Sequence, residues 1–358
     1  MALRRFWTAA ALLLLPLAVA ARTLAWGDGA VFGLSIAAII PLAILLSTAT
    51  EELALALGPT PGALLNALFG NATELIIALV ALRAGLVDIV KASITGTVMA
   101  NLLLALGLSM TIGGIGREEQ RFGAMVARVN GIPMTLALLA ILLPSLAPAG
   151  RGEAALGFSG FVAWLLLAVY GLTLVFSLGT HRRLLASPAE VEALVVTEEG
   201  GHDPPLVLPW LLVLVLATAG LALASELFVD VVAEVTEGLG FSATFTGVVL
   251  LPLLGGTAEY VTAVSMARRD RMQLSVSVAL GSTLLVALLV VPVLVLLGPL
   301  LGHPLDLRFS SYELVAIGAA VLVSNLVSLD GRSDWLEGVL LLATYVILAA
   351  GFWFPLAG

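Results

Sequence analysis

Two glutamates stand where a carboxylate is costly. Glu74 lies about twelve residues into one apolar run and Glu259 about seventeen into another. A charge that deep in a hydrocarbon layer costs several kcal/mol unless it is protonated, paired or bound to a cation. Each follows a glycine-rich approach, Gly70-Asn71-Ala72-Thr73-Glu74 and Gly255-Gly256-Thr257-Ala258-Glu259, at an offset of 185 residues. At that same offset Gly96-Thr97 falls on Gly281-Ser282. On a helix Gly70, Asn71 and Glu74 share a face, as do Gly255, Gly256 and Glu259. The glycines let backbone carbonyls approach an ion, and Pro252 frees a carbonyl from the helix ladder.

Both faces therefore offer oxygen. A hard divalent cation wants six to eight oxygens including carboxylates, and Ca²⁺ tolerates the irregular geometry that carbonyls, amides and hydroxyls supply. Thr97 with Asn101 one turn on, and Ser282 with Thr283, are the natural further contributors; small polar residues also simply let membrane helices pack closely. Two neighbouring carboxylates in a low-dielectric site hold protons as a unit, which a divalent ion would displace. Two protons or one Ca²⁺ leave the site with the same net charge, so it can move loaded either way while the empty anionic state is penalised. Exchange follows from that exclusion. A second acidic pair, Glu51 and Glu52 in Thr50-Glu51-Glu52-Leu53 and Glu226 in Ser225-Glu226-Leu227, is expected to line the access routes or move with them, unless these are solvated helix ends.

The elements that must hold these groups are membrane helices. With 60% hydrophobic and 11% charged residues and a mean hydropathy of +1.12, the chain is too apolar for a water-soluble fold. Apolar runs near 7–21, 31–57, 62–82, 86–114, 122–143, 157–179, 207–235, 242–267, 272–298, 310–328 and 335–355 predict about eleven transmembrane helices, each of roughly the 20 residues a bilayer needs. Assigning Lys and Arg to alternate sides puts eleven on one and five on the other. The N-terminus is then cytoplasmic and the C-terminus outside. Arg4-Arg5, an apolar core and Ala18-Val19-Ala20 also fit a cleavable signal peptide.

A polar stretch from His181 to Asp203 separates five spans from five. The expected division is a first helix (1–24), a five-helix repeat (25–180), an acidic cytoplasmic linker (181–206) and a second five-helix repeat (207–358). The third span runs inside to outside and the eighth outside to inside, so the repeats are inverted. Inverted repeats with glycine-broken polar segments at matching positions point to a transporter with its site near the midplane.

The absence of cysteine and the placing of His181, His202 and His303 in loops leave no thiolate site, cofactor or catalytic residue to suggest. An enzyme is not expected, an intramembrane hydrolase with two carboxylates included. Nor is nucleic acid binding, which a net charge of −8 disfavours. The expected partners are Ca²⁺, H⁺ and the lipid bilayer, with a homo-oligomer left open. A passive channel would favour a continuous polar lining over paired acidic sites, and a scaffold would not explain two costly glutamates.

The chain resembles the Ca²⁺/H⁺ antiporters of the calcium/cation antiporter superfamily over nearly its whole length. The likeness rests on Ala49-Thr50-Glu51-Glu52-Leu53-Ala54, Gly70-Asn71-Ala72-Thr73-Glu74-Leu75-Ile76, Asn101-Leu102-Leu103-Leu104, Gly281-Ser282-Thr283 and Asp330-Gly331-Arg332-Ser333-Asp334-Trp335-Leu336-Glu337-Gly338. It implies an orienting first helix, two inverted five-helix repeats with long mobile gating helices, and Glu74 and Glu259 as cation ligands. The second motif departs from the usual Gly-Asn-Ala-Ala-Glu-His at Gly256 and Tyr260. Ala100 and Leu285 replace a usual serine and glutamine. Fewer oxygen donors around the ion would weaken Ca²⁺ binding or move selectivity toward Mn²⁺, Na⁺ or another cation. The short loops fit a bacterial inner membrane.

Overall fold

In the computed structural model the described residues are 2–146, 152–177 and 206–354. The stretch from His181 to Asp203, read above as a linker, lies outside them. The first half comprises α1 (Ala2–Thr23), α2 (Asp28–Leu57), α3 (Pro59–Phe69), α4 (Ala72–Arg83), α5 (Val87–Met99), α6 (Leu106–Gly114), α7 (Ala124–Leu146) and α8 (Glu153–Val175). The second comprises α9 (Val207–Gly238), α10 (Ala243–Gly255), α11 (Thr257–Arg268), α12 (Met272–Leu285), α13 (Val291–Leu297), α14 (Ser311–Ser328) and α15 (Trp335–Trp353). From α2 onward the two lists correspond element for element. Equivalent helices are five crossings apart, and an odd number of crossings turns the second copy upside down.

Among the described residues nine helices are long and apolar enough to cross a membrane, or ten if the bent pair α10 and α11 is one span. The expected eleventh span falls on α7, whose apolar part over Gly131–Leu146 is counted as a shorter apolar helix. Most spans are apolar on every side, as expected of helices that face lipid on one side and protein on the other. Val87–Gly114 is almost wholly buried and forms the centre.

The long helices α2 and α9 lie against each other. Phe32 stacks on Phe228 with ring centroids 5.6 Å apart, and a Cβ on Gly220 would stand 3.0 Å from Leu42 Cδ2. The first helix packs outside this pair, burying Ala18 and Ala21 against Val31, Leu227 and Val231. Gly58, at φ +81°, ends α2 and turns the chain directly into α3, a conformation that costs glycine little.

The Asp330–Gly338 motif and the loops beside it are architectural. In Asp330–Gly338, Asp334 and Glu337 form a capping box that starts α15. Gly338 admits the Thr111 backbone of α6, where a Cβ would lie 2.3 Å from its nitrogen. Beside it a two-residue strand pair, β1 (Gln120–Arg121) with β2 (Arg332–Ser333), joins the loops of the two halves. Glu119 accepts from Arg121 at 2.8 Å and from Arg332 at 3.1 Å, so its carboxyl is held below the usual value of 4.5, first by the Arg121 bond.

Candidate functional site

Both predicted spans that carry the glutamates are interrupted. The first breaks between α3 and α4 at Gly70-Asn71, and the second bends by 60° at Gly256. Glu74 and Glu259 each stand in the first turn of the helix after the break. Four helix ends thus supply N–H groups and carbonyls that no intrahelical partner uses, and the N-terminal dipole favours a carboxylate there. The two breaks touch, since a Cβ on Gly255 would lie 3.0 Å from Glu74 Cγ and 3.6 Å from its Cα.

What surrounds the carboxylates is as informative as where they are. Both carboxyl oxygens of Glu74, Oε2 of Glu259 and Oδ1 of Asn101 are buried without a hydrogen-bond partner among the described residues. A buried carboxylate without a donor costs several kcal/mol. Four buried acceptor oxygens that no nearby donor meets in hydrogen-bond geometry are surroundings a cation or protons would complete.

Neutral groups hold the frame. Ser282 Oγ accepts from Asn71 Nδ2 at 2.7 Å and from Asn101 Nδ2 at 2.9 Å, which ties both halves together and turns the amide oxygens the other way. Asn101 lies in a wide π-helical turn, Ala100–Ala105, and its counterpart Val286–Val290 has the same form. Such turns are often found at functional sites because they rotate the side chains beyond them.

Other predicted site residues fall differently. Thr97 is buried on α5. Thr283 is not brought into the site; its hydroxyl donates to Ala279 O on its own helix at 2.9 Å, the usual fate of a hydroxyl with no better acceptor. Gly70 packs on Leu285, 3.3 Å from a would-be Cβ, and Gly256 lies under the ring of Tyr260. Glu51 accepts from Ser47 at 3.5 Å and is within electrostatic reach of Glu259, and Glu52 beside it is half-buried. Glu226 is an exposed partner of Arg83 at 3.3 Å, so it ties α9 to the end of α4. Among the described residues no group of three or more His, Cys, Asp or Glu side chains gathers to hold a metal. A metal here would depend on two carboxylates plus neutral oxygens.

The halves differ in how tightly they close. On α5 and the first residue of the turn after it, Ile89, Ala92, Ser93, Gly96 and Ala100 are all buried, whereas their counterparts 185 positions later, Leu274, Ser277, Val278, Gly281 and Leu285, are all half-exposed. A Cβ on Gly96 would lie 2.0 Å from Val248 O, the carbonyl that Pro252 cannot bond, and one on Gly247 would lie 2.5 Å from Ala92 Cβ. Gly281 has nothing within 4 Å, and Gly62, the counterpart of Gly247, packs instead on Ala54 O of α2. The helix packing beside the glutamates is tight on one side and loose on the other. The tight side is further held by Lys91, which pairs with Asp306 and donates to Arg308 O at 3.1 Å.

The fold and the site define a polytopic membrane protein built on inverted repeats around broken helices with an acidic centre. The sequence profile of the sodium/calcium exchanger protein family matches residues 27–179 and 209–354, and the chain belongs to that family. It is 47% identical over 354 residues to a Ca(2+)/H(+) antiporter of Aphanothece halophytica, covering 96% of this chain and 95% of that one. It is 39% identical over 349 residues to a vacuolar calcium ion transporter of Schizosaccharomyces pombe, covering 96% and 84%. The solved structure of native YfkE superposes with a TM-score of 0.82 at 35% identity, covering 97% of this chain and 99% of that one.

Proposed function

We propose that this protein is a secondary active antiporter that exchanges Ca²⁺ for H⁺ across the membrane by alternating access. The observation that carries the reading is the set of buried oxygens of Glu74, Glu259 and Asn101 that lack any donor where two broken helices meet. The relatives from Aphanothece halophytica and Synechocystis sp. bear the name Ca(2+)/H(+) antiporter, which supports the same exchange here. Glu74 and Glu259 bind either cation or protons. Asn71, Asn101 and Ser282 with the backbone at Gly70, Gly255 and Gly256 complete the cage, and the buried Thr97 is a further candidate ligand.

The loose approach lies on the side of Arg268, Arg269 and Arg271, the arginine-rich side. By the distribution of positive charge that side is the cytoplasm, in a bacterial inner membrane, with the N-terminus cytoplasmic and the C-terminus outside. The protein is then open inward, with Glu51 and Glu52 on the route in and the Arg83–Glu226 pair outside. The first helix (1–24), the two five-helix repeats (25–180 and 207–358) and the linker between them are the functional units. A passive channel is disfavoured because one approach is packed shut by backbone contacts at Gly96 and Gly247.

Reconstitution in proteoliposomes with an imposed pH gradient tests this. Uphill Ca²⁺ uptake is expected, abolished when the gradient is dissipated. It should weaken steeply as the loading side is acidified, because protons and cation compete for the same carboxylates. Uptake indifferent to the gradient would overturn the coupling to protons, and uptake of Mn²⁺ or Na⁺ alone would assign a different cargo.

A further inference from the structure

Of the four places at which the first and second motifs differ, two are linked: the structure makes Asn71 against Gly256 and Leu75 against Tyr260 one difference. A Cβ added to Gly256 would stand 2.4 Å from both Cζ and Oη of Tyr260 and 2.8 Å from its Cε1. A side chain at 256 would have to displace the ring, which is buried and anchored through its hydroxyl, so position 256 stays bare while Tyr260 holds this place. The ring fills the room over Gly256, on the second half-helix, where the first motif places the amide of Asn71.

The hydroxyl has a second effect. Tyr260 Oη donates to Pro252 O at 2.9 Å, and the Gly256 N–H donates to the same oxygen at 2.9 Å. A carbonyl has two lone pairs, and both are taken. In the first half the equivalent carbonyl, Ala67 O, also accepts a tyrosine hydroxyl at 2.9 Å, but from Tyr170 on α8. There the capping group stands outside the broken helix and leaves Asn71 its place. In the second half it is built into the break.

We propose that Tyr260 is a specificity-determining residue of the cation site. Its ring excludes an amide at position 256, and its hydroxyl withdraws the Pro252 carbonyl from the ion. The second half-helix break then offers Glu259 and the backbone at Gly255 and Gly256, with no amide side chain and no free Pro252 carbonyl. The ion is held off-centre by Glu74, Glu259 and the amide oxygens of Asn71 and Asn101. This deepens the reading of the same site given under Proposed function and rests on it.

The test uses the full chain in proteoliposomes, with initial rates measured over a range of Ca²⁺ and of Mn²⁺. Removing only the hydroxyl by Tyr260→Phe returns one lone pair of the Pro252 carbonyl to the site. The apparent KM for Ca²⁺ is expected to fall about two- to tenfold, the worth of one hydrogen bond. The KM for Mn²⁺ should change less, since Ca²⁺ is the ion that welcomes further irregular oxygens. The buried hydroxyl of Tyr345, itself without a partner and within electrostatic reach of Tyr260, could take the vacated carbonyl, so Tyr260→Phe is repeated with Tyr345→Phe. Gly256→Asn alone should cut uptake at least tenfold, and Gly256→Asn with Tyr260→Leu, which rebuilds the first motif, should restore it. Insertion and folding are followed by size-exclusion chromatography. A KM for Ca²⁺ that rises or stays fixed in both phenylalanine variants, or full uptake by Gly256→Asn alone, overturns the proposal. If the unaltered protein shows no gradient-driven Ca²⁺ uptake, it is instead the antiport reading that fails.

Discussion

Replacing Glu74 by glutamine keeps the volume of the side chain and removes its charge, which separates cation binding from the fold. Both carboxyl oxygens are buried without a donor, so in the empty, ionised protein this residue is a burden. Insertion scales put an acidic side chain at the centre of a membrane helix at about 2.5–3.5 kcal/mol. Glutamine relieves most of that, and the cation-free variant should melt above the parent at mildly alkaline pH. With Ca²⁺ at a hundred times its dissociation constant the parent gains about 2.7 kcal/mol, or roughly 5–10 °C at about 2–4 °C per kcal/mol. The variant has lost one of two charged ligands and should show almost no Ca²⁺-dependent shift. The assay is thermal unfolding of purified protein with and without Ca²⁺, beside uptake into proteoliposomes. A Ca²⁺-dependent shift in Glu74→Gln equal to the parent's, with uptake intact, would refute the assignment of these oxygens to the cation.

The chain contains no cysteine, so single cysteines report directly on access. Ser277→Cys should react with a polar maleimide at least about ten times faster than its repeat partner Ala92→Cys, a difference of about 1.4 kcal/mol in opening, and equal rates would show that neither route is sealed. Glu226→Gln breaks an exposed ion pair with Arg83 of at most about 1 kcal/mol. It should shift that labelling ratio by no more than about fivefold, and complete loss of transport would give Glu226 a larger role. Glu119, with its carboxyl held below 4.5 by Arg121, lends stability that is present above that value and is lost as pH falls through the lowered one. The parent should therefore melt above Glu119→Gln at pH 7 and converge with it at strongly acidic pH; a gap that persists in acid would show that charge is not the cause.

The glutamates and the breaks were legible in the sequence because a carboxylate in an apolar run, repeated at a fixed offset, is a signal in one dimension. The choice among hydroxyls was not. Thr97, Ser282 and Thr283 are equivalent by composition, and only helical phase decides that Ser282 meets two amides while Thr283 turns back on Ala279. That phase passes through π-helical turns at Ala100–Ala105 and Val286–Val290, which apolar residues do not announce. The strand pair that joins Gln120 to Ser333 spans more than two hundred residues and leaves no local mark. Tyr260 was visible as a departure, but its bond to Pro252 depends on the bend at Gly256.

The asymmetry between the halves could not be read from the chain at all, and it explains why the site is built from so few donors. A repeated sequence is compatible equally with either approach being open, so the sequence encodes both states and the structure displays one. For exchange, the change between them must be disfavoured when the site is empty. Carboxylates already satisfied by protein donors would make the empty site comfortable and permit a leak. Leaving both carboxyl oxygens of Glu74 and Oε2 of Glu259 without a hydrogen-bond partner among the described residues makes the empty site costly once sealed from water. Relief comes from bound cation or protons, or from solvent through an open route. On the proposed reading, the missing hydrogen bonds at the centre couple the two ions, and the close packing of Gly96 against Val248 keeps the second route closed while the first is open.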